Sequence, residues 1–386
     1  MARRGMTRAA TYPAVSGRGM LTDALLYRLP FEPITNPMSC LMPTLTLRVP
    51  VVCSLLLGLS CWLGAQPAAG QALKVGMIGL DTSHAPAFAK LLNSEAESGK
   101  FGGMRVVAAY PGGSEDIASS RDRVSGYTQQ LQELGAEIVD SVAALLPKVD
   151  VVLLESLDGR KHLEQVLPVF QAGKPVFIDK PLAGSLVDAL AIDLLAKKYD
   201  ARWFSSSSLR FSPGIIRFRE KPEVSQQIRG ASAWSPCSLE PTHTDLYWYG
   251  VHGVEMLYTA MGTGCQSVSR VFAPGSDVVV GQWEGGRLGT YRGIRDGKAD
   301  YGLVVFGEKQ IEVGGKYAGY APLVERIAAF FQGGELPVSN AETLEMFTFM
   351  QAADVSKERG GQPVALAEVH QAALQQAQQK VAELTR

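Results

Sequence analysis

Cysteine is scarce: there are five in 386 residues, and three of them (Cys40, Cys53, Cys61) fall in the first 72. The other two, Cys237 and Cys265, make neither a disulfide framework nor a zinc cluster. They could pair in an oxidising compartment, and spacing leaves that open. An excess of positive charge is also missing. The formal net charge is -1, whereas phosphate backbones demand clustered Lys and Arg, so nucleic acid is not an expected partner. The composition of a disordered chain is absent as well, with 46% hydrophobic and 19% charged residues. No internal repeat is visible. What the chain does have is length enough for two domains with full cores.

Only one long apolar run occurs, Val49 to Ala65, preceded by Arg48 and followed by the small-residue stretch 66–72. Basic flank, apolar core and small-residue exit describe a secretory signal peptide, with Gly70-Gln71-Ala72 fitting the small-x-small cleavage pattern. The run of about 17 residues is marginal for a bilayer span, which takes roughly 20. Processing is thus expected to leave no stable membrane span; a retained anchor is the alternative. Residues before Met42 show no periodic pattern, so translation is expected to start at Met42. Arg3-Arg4 lies too far upstream to serve as a twin-arginine signal. The mature chain is expected to be periplasmic or extracellular. It should also be more acidic than the whole, because six arginines and two acids precede Leu73.

After residue 72 the texture is that of an α/β protein. Leu73 to Leu80, Met104 to Tyr110, Val149 to Glu155 and Pro175 to Ile178 are short apolar runs. Helical stretches lie between them: His84 to Asn93, a polar one ending near Leu134, and Lys161 to Gln171. This alternation predicts a Rossmann-type parallel sheet covered on both faces over residues 73–204. Such sheets bind ligands at the carboxyl ends of their strands. Over residues 205–386 the pattern changes to an α+β domain. A polar run, Ser205 to Ser208, and a helix from Pro213 come first. Val268 to Val313 then reads as consecutive strands of a mostly antiparallel sheet, with turns at Pro274-Gly275, Gly285-Gly286 and Asp296-Gly297. Ala341 to Arg359 and Leu366 to Leu384 are long amphipathic helices.

Four segments carry a family resemblance. They are the opening strand with its turn; Ala172-Gly173-Lys174-Pro175-Val176 leading to Asp179-Lys180-Pro181; Gly250-Val251-His252-Gly253-Val254-Glu255; and the closing pattern Ala353, Ser356, Gly360-Gly361, Val364. In this order they resemble the glucose–fructose oxidoreductase / inositol dehydrogenase (Gfo/Idh/MocA) family, whose signatures include Glu-Lys-Pro and Gly-x-His-x-x-Asp. The set specifies the fold more closely than the activity.

The resemblance implies an oxidoreductase that moves hydride between NAD or NADP and a sugar or sugar derivative. It makes Lys180 and His252 the catalytic pair. Lys180 ends a buried strand, where an ammonium can lower the pKa of a bound alcohol. His252 would take the hydroxyl proton, which suits an imidazole titrating near neutrality. Glu255, one turn on, is a candidate substrate contact, as are Asp245 and His243 upstream. Asp245 is the nearest acid to the place, now Trp248, where the family often has one. Asp179 falls in the signature beside the cofactor; His162 aligns with a family histidine after the fourth strand, where structural packing and cofactor contact are both open; Glu155 and Asp158 border the same mouth. An open sheet face often pairs in relatives, so a homo-oligomer is possible, and the sequence itself leaves the oligomeric state open.

The dinucleotide turn departs from its fingerprint, which asks for three glycines. Here it reads Gly79-Leu80-Asp81-Thr82-Ser83-His84, so only Gly79 matches. Asp81 puts a carboxylate where phosphate oxygens belong, and His84 is bulky where close packing is wanted. The second strand ends without the acid that holds the adenosine ribose. Gly112, Gly113 and Ser114 could still form a backbone nest for phosphate. Thr82 or Ser83 could cap the following helix, whose N-terminus attracts an anion.

Three readings follow: an oxidoreductase using Lys180 and His252; a carbohydrate-binding protein on the same fold without hydride transfer; and a metal-dependent hydrolase, lyase or epimerase. The last would draw on Asp81, His84, His243, Asp245, His252 and Glu255. None of these has a specific metal spacing, and no metal is assigned.

Overall fold

The computed structural model describes residues 72–386. The signal peptide and the start at Met42 lie outside the described residues.

The first half is a six-stranded parallel sheet: β1 (Lys74–Ile78), β2 (Arg105–Tyr110), β3 (Glu137–Ile138), β4 (Val151–Leu154), β5 (Val176–Ile178) and β6 (Trp203–Ser205). The spatial order is β3-β2-β1-β4-β5-β6. Every residue of β4, β5 and β6 is buried, as a sheet covered on both faces requires. The order reverses between β1 and β4, so the crevice for ligands opens beyond their carboxyl ends. Gly79, Glu155, Asp179, Lys180 and Ser206 all sit at such ends.

The second half is a seven-stranded sheet: β7 (Ile228–Pro236), β8 (Cys265–Ala273), β9 (Ser276–Trp283), β10 (Leu288–Ile294), β11 (Gly302–Gly307), β12 (Ile311–Val313) and β13 (Val364–Ala365). Its order is β12-β11-β7-β10-β9-β8-β13. β8, β9 and β10 form the expected meander. The sequence from Val268 to Val313 is not a simple run of neighbours, however. β7, from before it, inserts between β10 and β11 and lies parallel to β10.

Helices cover one face of this sheet. Val251–Met261 packs on β7 and β10, and Asn340–Glu358 on β8. A Cβ at Gly253 would lie 2.3 Å from the Tyr291 ring; the missing side chain lets the His252 helix seat against β10. The last helix, Leu366–Leu384, crosses back to pack on Leu186–Lys198 of the first half. One hydrophobic cluster accordingly runs through both halves. Cys237 and Cys265 are buried free thiols. Among the described residues no helix is long and apolar enough to cross a membrane.

Candidate active site

Lys180 lies two residues past β5, in a cis peptide with Pro181, and its side chain is buried. Asp179 beside it faces His84, the first residue of the helix His84–Ser94. His84 Nδ1 lies 2.5 Å from Asp179 Oδ2, and its ring stands between Phe88 and Tyr320. Burial alone would raise the Asp179 carboxyl, but His84 and Lys180 beside it hold it below the usual carboxylate range. Glu155, one residue past β4, is fully buried. Desolvation and the neighbouring Asp179 push its carboxyl well above the ordinary value.

His252 enters from the second half, in the first turn of Val251–Met261. Its Nδ1 is 2.7 Å from Ser207 Oγ. Burial, reinforced by Lys180 and His84, lowers its pKa well below 6.5. The ring is therefore neutral near neutral pH. In the tautomer whose Nδ1–H donates to Ser207, Nε2 is an acceptor.

Lys180 and His252 line the same cavity, of about 180 Å³. Thr82, Ser83 and His84 contribute from the first turn, and Ser208 from the end of β6. Tyr249, Tyr301, Tyr317 and Tyr320 form an aromatic wall. Burial raises the phenols of Tyr301, Tyr317 and Tyr320, that of Tyr317 to about 12, so they stay protonated donors. Two facing histidines, an ammonium and several hydroxyls suit a small polyhydroxylated ligand. A larger groove of about 780 Å³ lies among the helices Leu186–Lys198, Asn340–Glu358 and Leu366–Leu384, away from the strand ends.

The nucleotide turn is closed by its own side chains. Asp81 is wholly buried. It accepts from Leu157 N at 2.9 Å and Ser120 Oγ at 2.6 Å, so one carboxylate ties β1, the β4 loop and the segment after β2 together. Gly79 retains its reason: its φ is +89, and a Cβ would fall 2.3 Å from Ser156 N. The nest expected at Gly112 to Ser114 is not free, because Ser114 N donates to Ser120 Oγ at 2.8 Å. The pyrophosphate end thus offers a dinucleotide fewer free backbone donors than the three-glycine turn would. The cavity is also below the roughly 300–1,000 Å³ of common ligand pockets. The end bearing Lys180 and His252 carries the donors and acceptors that a sugar hydroxyl needs.

Several expected contacts are engaged elsewhere. Glu255 does not face the cavity: it accepts from Ser206 Oγ, Ser207 N and Arg210 Nε at 2.5, 2.8 and 2.7 Å, and Arg210 continues to Glu342. It holds the serine run that positions His252. Asp245 pairs with Arg270 and Lys357 on the β8 side. His243 packs at a tilt against Trp248 and lies 3.3 Å from Asp158. Asp158 binds Ser114 Oγ, Arg160 N and the Arg160 guanidinium. His162 is enclosed between the carbonyls of Ser156 and Leu182, a brace rather than a cofactor contact. Asp81, His243, Asp245 and Glu255 do not converge with His84 and His252 as one metal set.

Sequence reasoning missed Ser207 and the tyrosine wall. Four consecutive serines at a strand end were a usable signal for the first. Tyr301, Tyr317 and Tyr320 come from a segment whose arrival over β1 depends on the whole second half.

A Rossmann strand order, a lysine past the end of β5 and a histidine helix entering from the second sheet bring an ammonium and an imidazole to one cavity. Residues 73–206 match the Gfo/Idh/MocA family model, described as "Oxidoreductase family, NAD-binding Rossmann fold"; the match covers the first half of the described chain. No curated protein matches it in sequence. Solved structures share the fold at low identity. The scyllo-inositol dehydrogenase of Lactobacillus casei with bound NAD(H) and scyllo-inositol is 12% identical, covers 77% of this chain and 100% of its own, and has a TM-score of 0.62. The myo-inositol dehydrogenase of the same organism, in complex with NAD(H) and myo-inositol, is 17% identical, with 76% and 97% covered and a TM-score of 0.60. GenD2 of gentamicin A biosynthesis, in complex with NAD, is 14% identical, with 76% and 96% covered and a TM-score of 0.61.

Proposed function

We propose that this protein is an oxidoreductase of the Gfo/Idh/MocA type acting on a sugar or sugar derivative, with Lys180 and His252 handling the hydroxyl proton. The observation that carries this reading is that both side chains, from opposite halves of the chain, face one cavity. His252 Nε2 accepts the proton of the reacting hydroxyl, and Ser207 holds the ring in the tautomer this needs. The Lys180 ammonium stabilises the alkoxide character that develops on that oxygen. Tyrosine hydroxyls bind the rest of the ligand. NAD or NADP, when bound, supplies the hydride acceptor; the ligands of the inositol dehydrogenases support that choice.

The test is turnover of NAD or NADP with a panel of inositols and aldoses, with binding followed by thermal shift. His252→Gln should lose at least about a hundredfold in kcat. No shift with millimolar NAD(H) or NADP(H) sinks the reading.

The sealing of the turn by Asp81 favours a second reading, a carbohydrate-binding protein without redox chemistry. In that case sugar affinity survives Lys180→Ala and His252→Ala, and the parent has no redox activity.

Export and self-association belong to the same proposal. The mature chain begins near Leu73 outside the cytoplasm, and a second copy packs on the open face of the second sheet. N-terminal sequencing of protein from the medium or periplasm checks the first point; a precursor beginning at Met1 overturns the start at Met42.

A further inference from the structure

Behind Lys180, the carboxyl ends of β1, β4 and β5 bring together three side chains that hydride transfer does not use. They are His84, Glu155 and Asp179, all buried. One nitrogen or oxygen from each lies within 4.8 Å of the others. Neither oxygen of Glu155 has a hydrogen-bond partner, nor does Oδ1 of Asp179. Three bare carboxyl oxygens at one buried point are unusual, because each gives up water without replacement.

Two simpler arrangements leave the problem partly unsolved. A proton shared between the carboxyls would satisfy Asp179 Oδ1 and one oxygen of Glu155, leaving the second oxygen bare. The Lys180 ammonium makes no hydrogen bond to either. A cation held by both Glu155 oxygens, Asp179 Oδ1 and a His84 ring nitrogen satisfies all of them together.

We propose that His84, Glu155 and Asp179 bind one divalent transition-metal ion of the zinc or manganese class in the wall of the Lys180–His252 cavity. One imidazole and two carboxylates suit these ions, and the absence of thiolate argues against softer ones. Ligands at about 2.0–2.2 Å from one ion stand no more than about 4.4 Å apart, so a small rotation of Glu155 closes the set. The 2.5 Å contact between His84 and Asp179 is a hydrogen bond, and loading breaks it and releases its proton. Three protein ligands leave a position open towards the cavity, which His84 also lines. A ligand hydroxyl or water fills that place. The proposal is independent of hydride transfer, which needs no metal.

The full chain, stripped with chelator, is titrated with zinc or manganese chloride alone in a calorimeter and in thermal melts. One equivalent should bind and raise the melting temperature. Glu155→Gln and Asp179→Asn should each weaken binding by at least about tenfold, while His243→Gln, outside the cluster, should not. Circular dichroism identifies any variant that fails to fold. Cobalt(II) absorption then reads ligation directly in the parent, with bands that His84→Ala abolishes or shifts. Absence of stoichiometric binding, or binding and cobalt bands unchanged in all three cluster variants, overturns the site. Shifts with NAD(H) or NADP(H) on the metal-free chain report separately on the hydride reading.

Discussion

The most instructive residue is Asp81. Where a dinucleotide turn keeps glycine so that phosphate can approach the backbone, this chain supplies a carboxylate that spends itself on Leu157 and Ser120. Asp81→Gly should leave the Leu157 amide without its partner and cost about 1–3 kcal/mol of stability, read from urea midpoints. The same change clears the groove and should tighten NAD(H) by at least about tenfold, which corresponds to about 1.4 kcal/mol. If calorimetry shows no gain in affinity, Asp81 is not what closes the groove. Asp158 offers a prediction in pH. Burial opposes its ionisation, yet hydrogen bonds from Arg160 and Ser114 prevail and lower the carboxyl from 3.8 to about 2. Its folded pKa being depressed, its contribution is present above about pH 3.8 and fades as pH falls through about 2. The stability gap between parent and Asp158→Asn should therefore be widest above about pH 4 and narrow on acidification. A gap that stays constant from pH 6 to 3 would show the bonds to be energetically idle. That Lys180 and His252 would meet at one cavity was legible in the sequence because their motifs are local. That Glu255, Asp245 and His243 stand away from this cavity was not legible, since the arginines that claim or neighbour them come from distant strands and helices.

At the scale of elements, strands buried on both faces announced themselves as apolar runs, and the two C-terminal helices as amphipathic ones. Other elements were silent for physical reasons. β3 has two residues and β6 three. β7 is rich in Gly, Ala and Ser, which carry little strand signal. The helix Leu186–Lys198 has no single apolar stripe, because it is packed among His162–Gln171, Asn340–Glu358 and Leu366–Leu384. That packing gives the element-scale prediction. Ala377 is fully buried on the terminal helix, and Lys380 of the same helix pairs with Asp188. Ala377→Leu should overpack this contact and destabilise the chain by about 1–3 kcal/mol. Because the core cluster spans both halves, the loss should appear as one cooperative transition in circular dichroism and tryptophan fluorescence alike. Unchanged stability, or two separated transitions, would mean that the helix does not couple the halves.

For the whole molecule, the question is what becomes of the sheet face that no helix covers. The register sets its outward residues in three rows. One runs Leu288, Gly230, Phe306, Ile311 across β10, β7, β11 and β12. The middle row includes Val280, Thr290, Ser232, Val304 and Val313. The third runs Val271, Val278, Arg292, Trp234. Val271, Ile311 and Val313 are 70%, 67% and 66% exposed. Apolar residues rowed on a broad sheet are expensive to leave in water and mark an interaction surface. Glycine, serine and threonine between them keep the face low enough for a second sheet to approach. An isologous pair of copies buries the same patch twice. Light scattering at micromolar concentration should therefore give at least the mass of a dimer. Leu288→Lys with Phe306→Glu, exposed changes that leave the inward face untouched, should shift it to the monomer without lowering the melting temperature of the isolated chain. A parent that is monomeric throughout that range, or a double variant that still associates, would remove this face from the assembly and leave its apolar rows to some other partner.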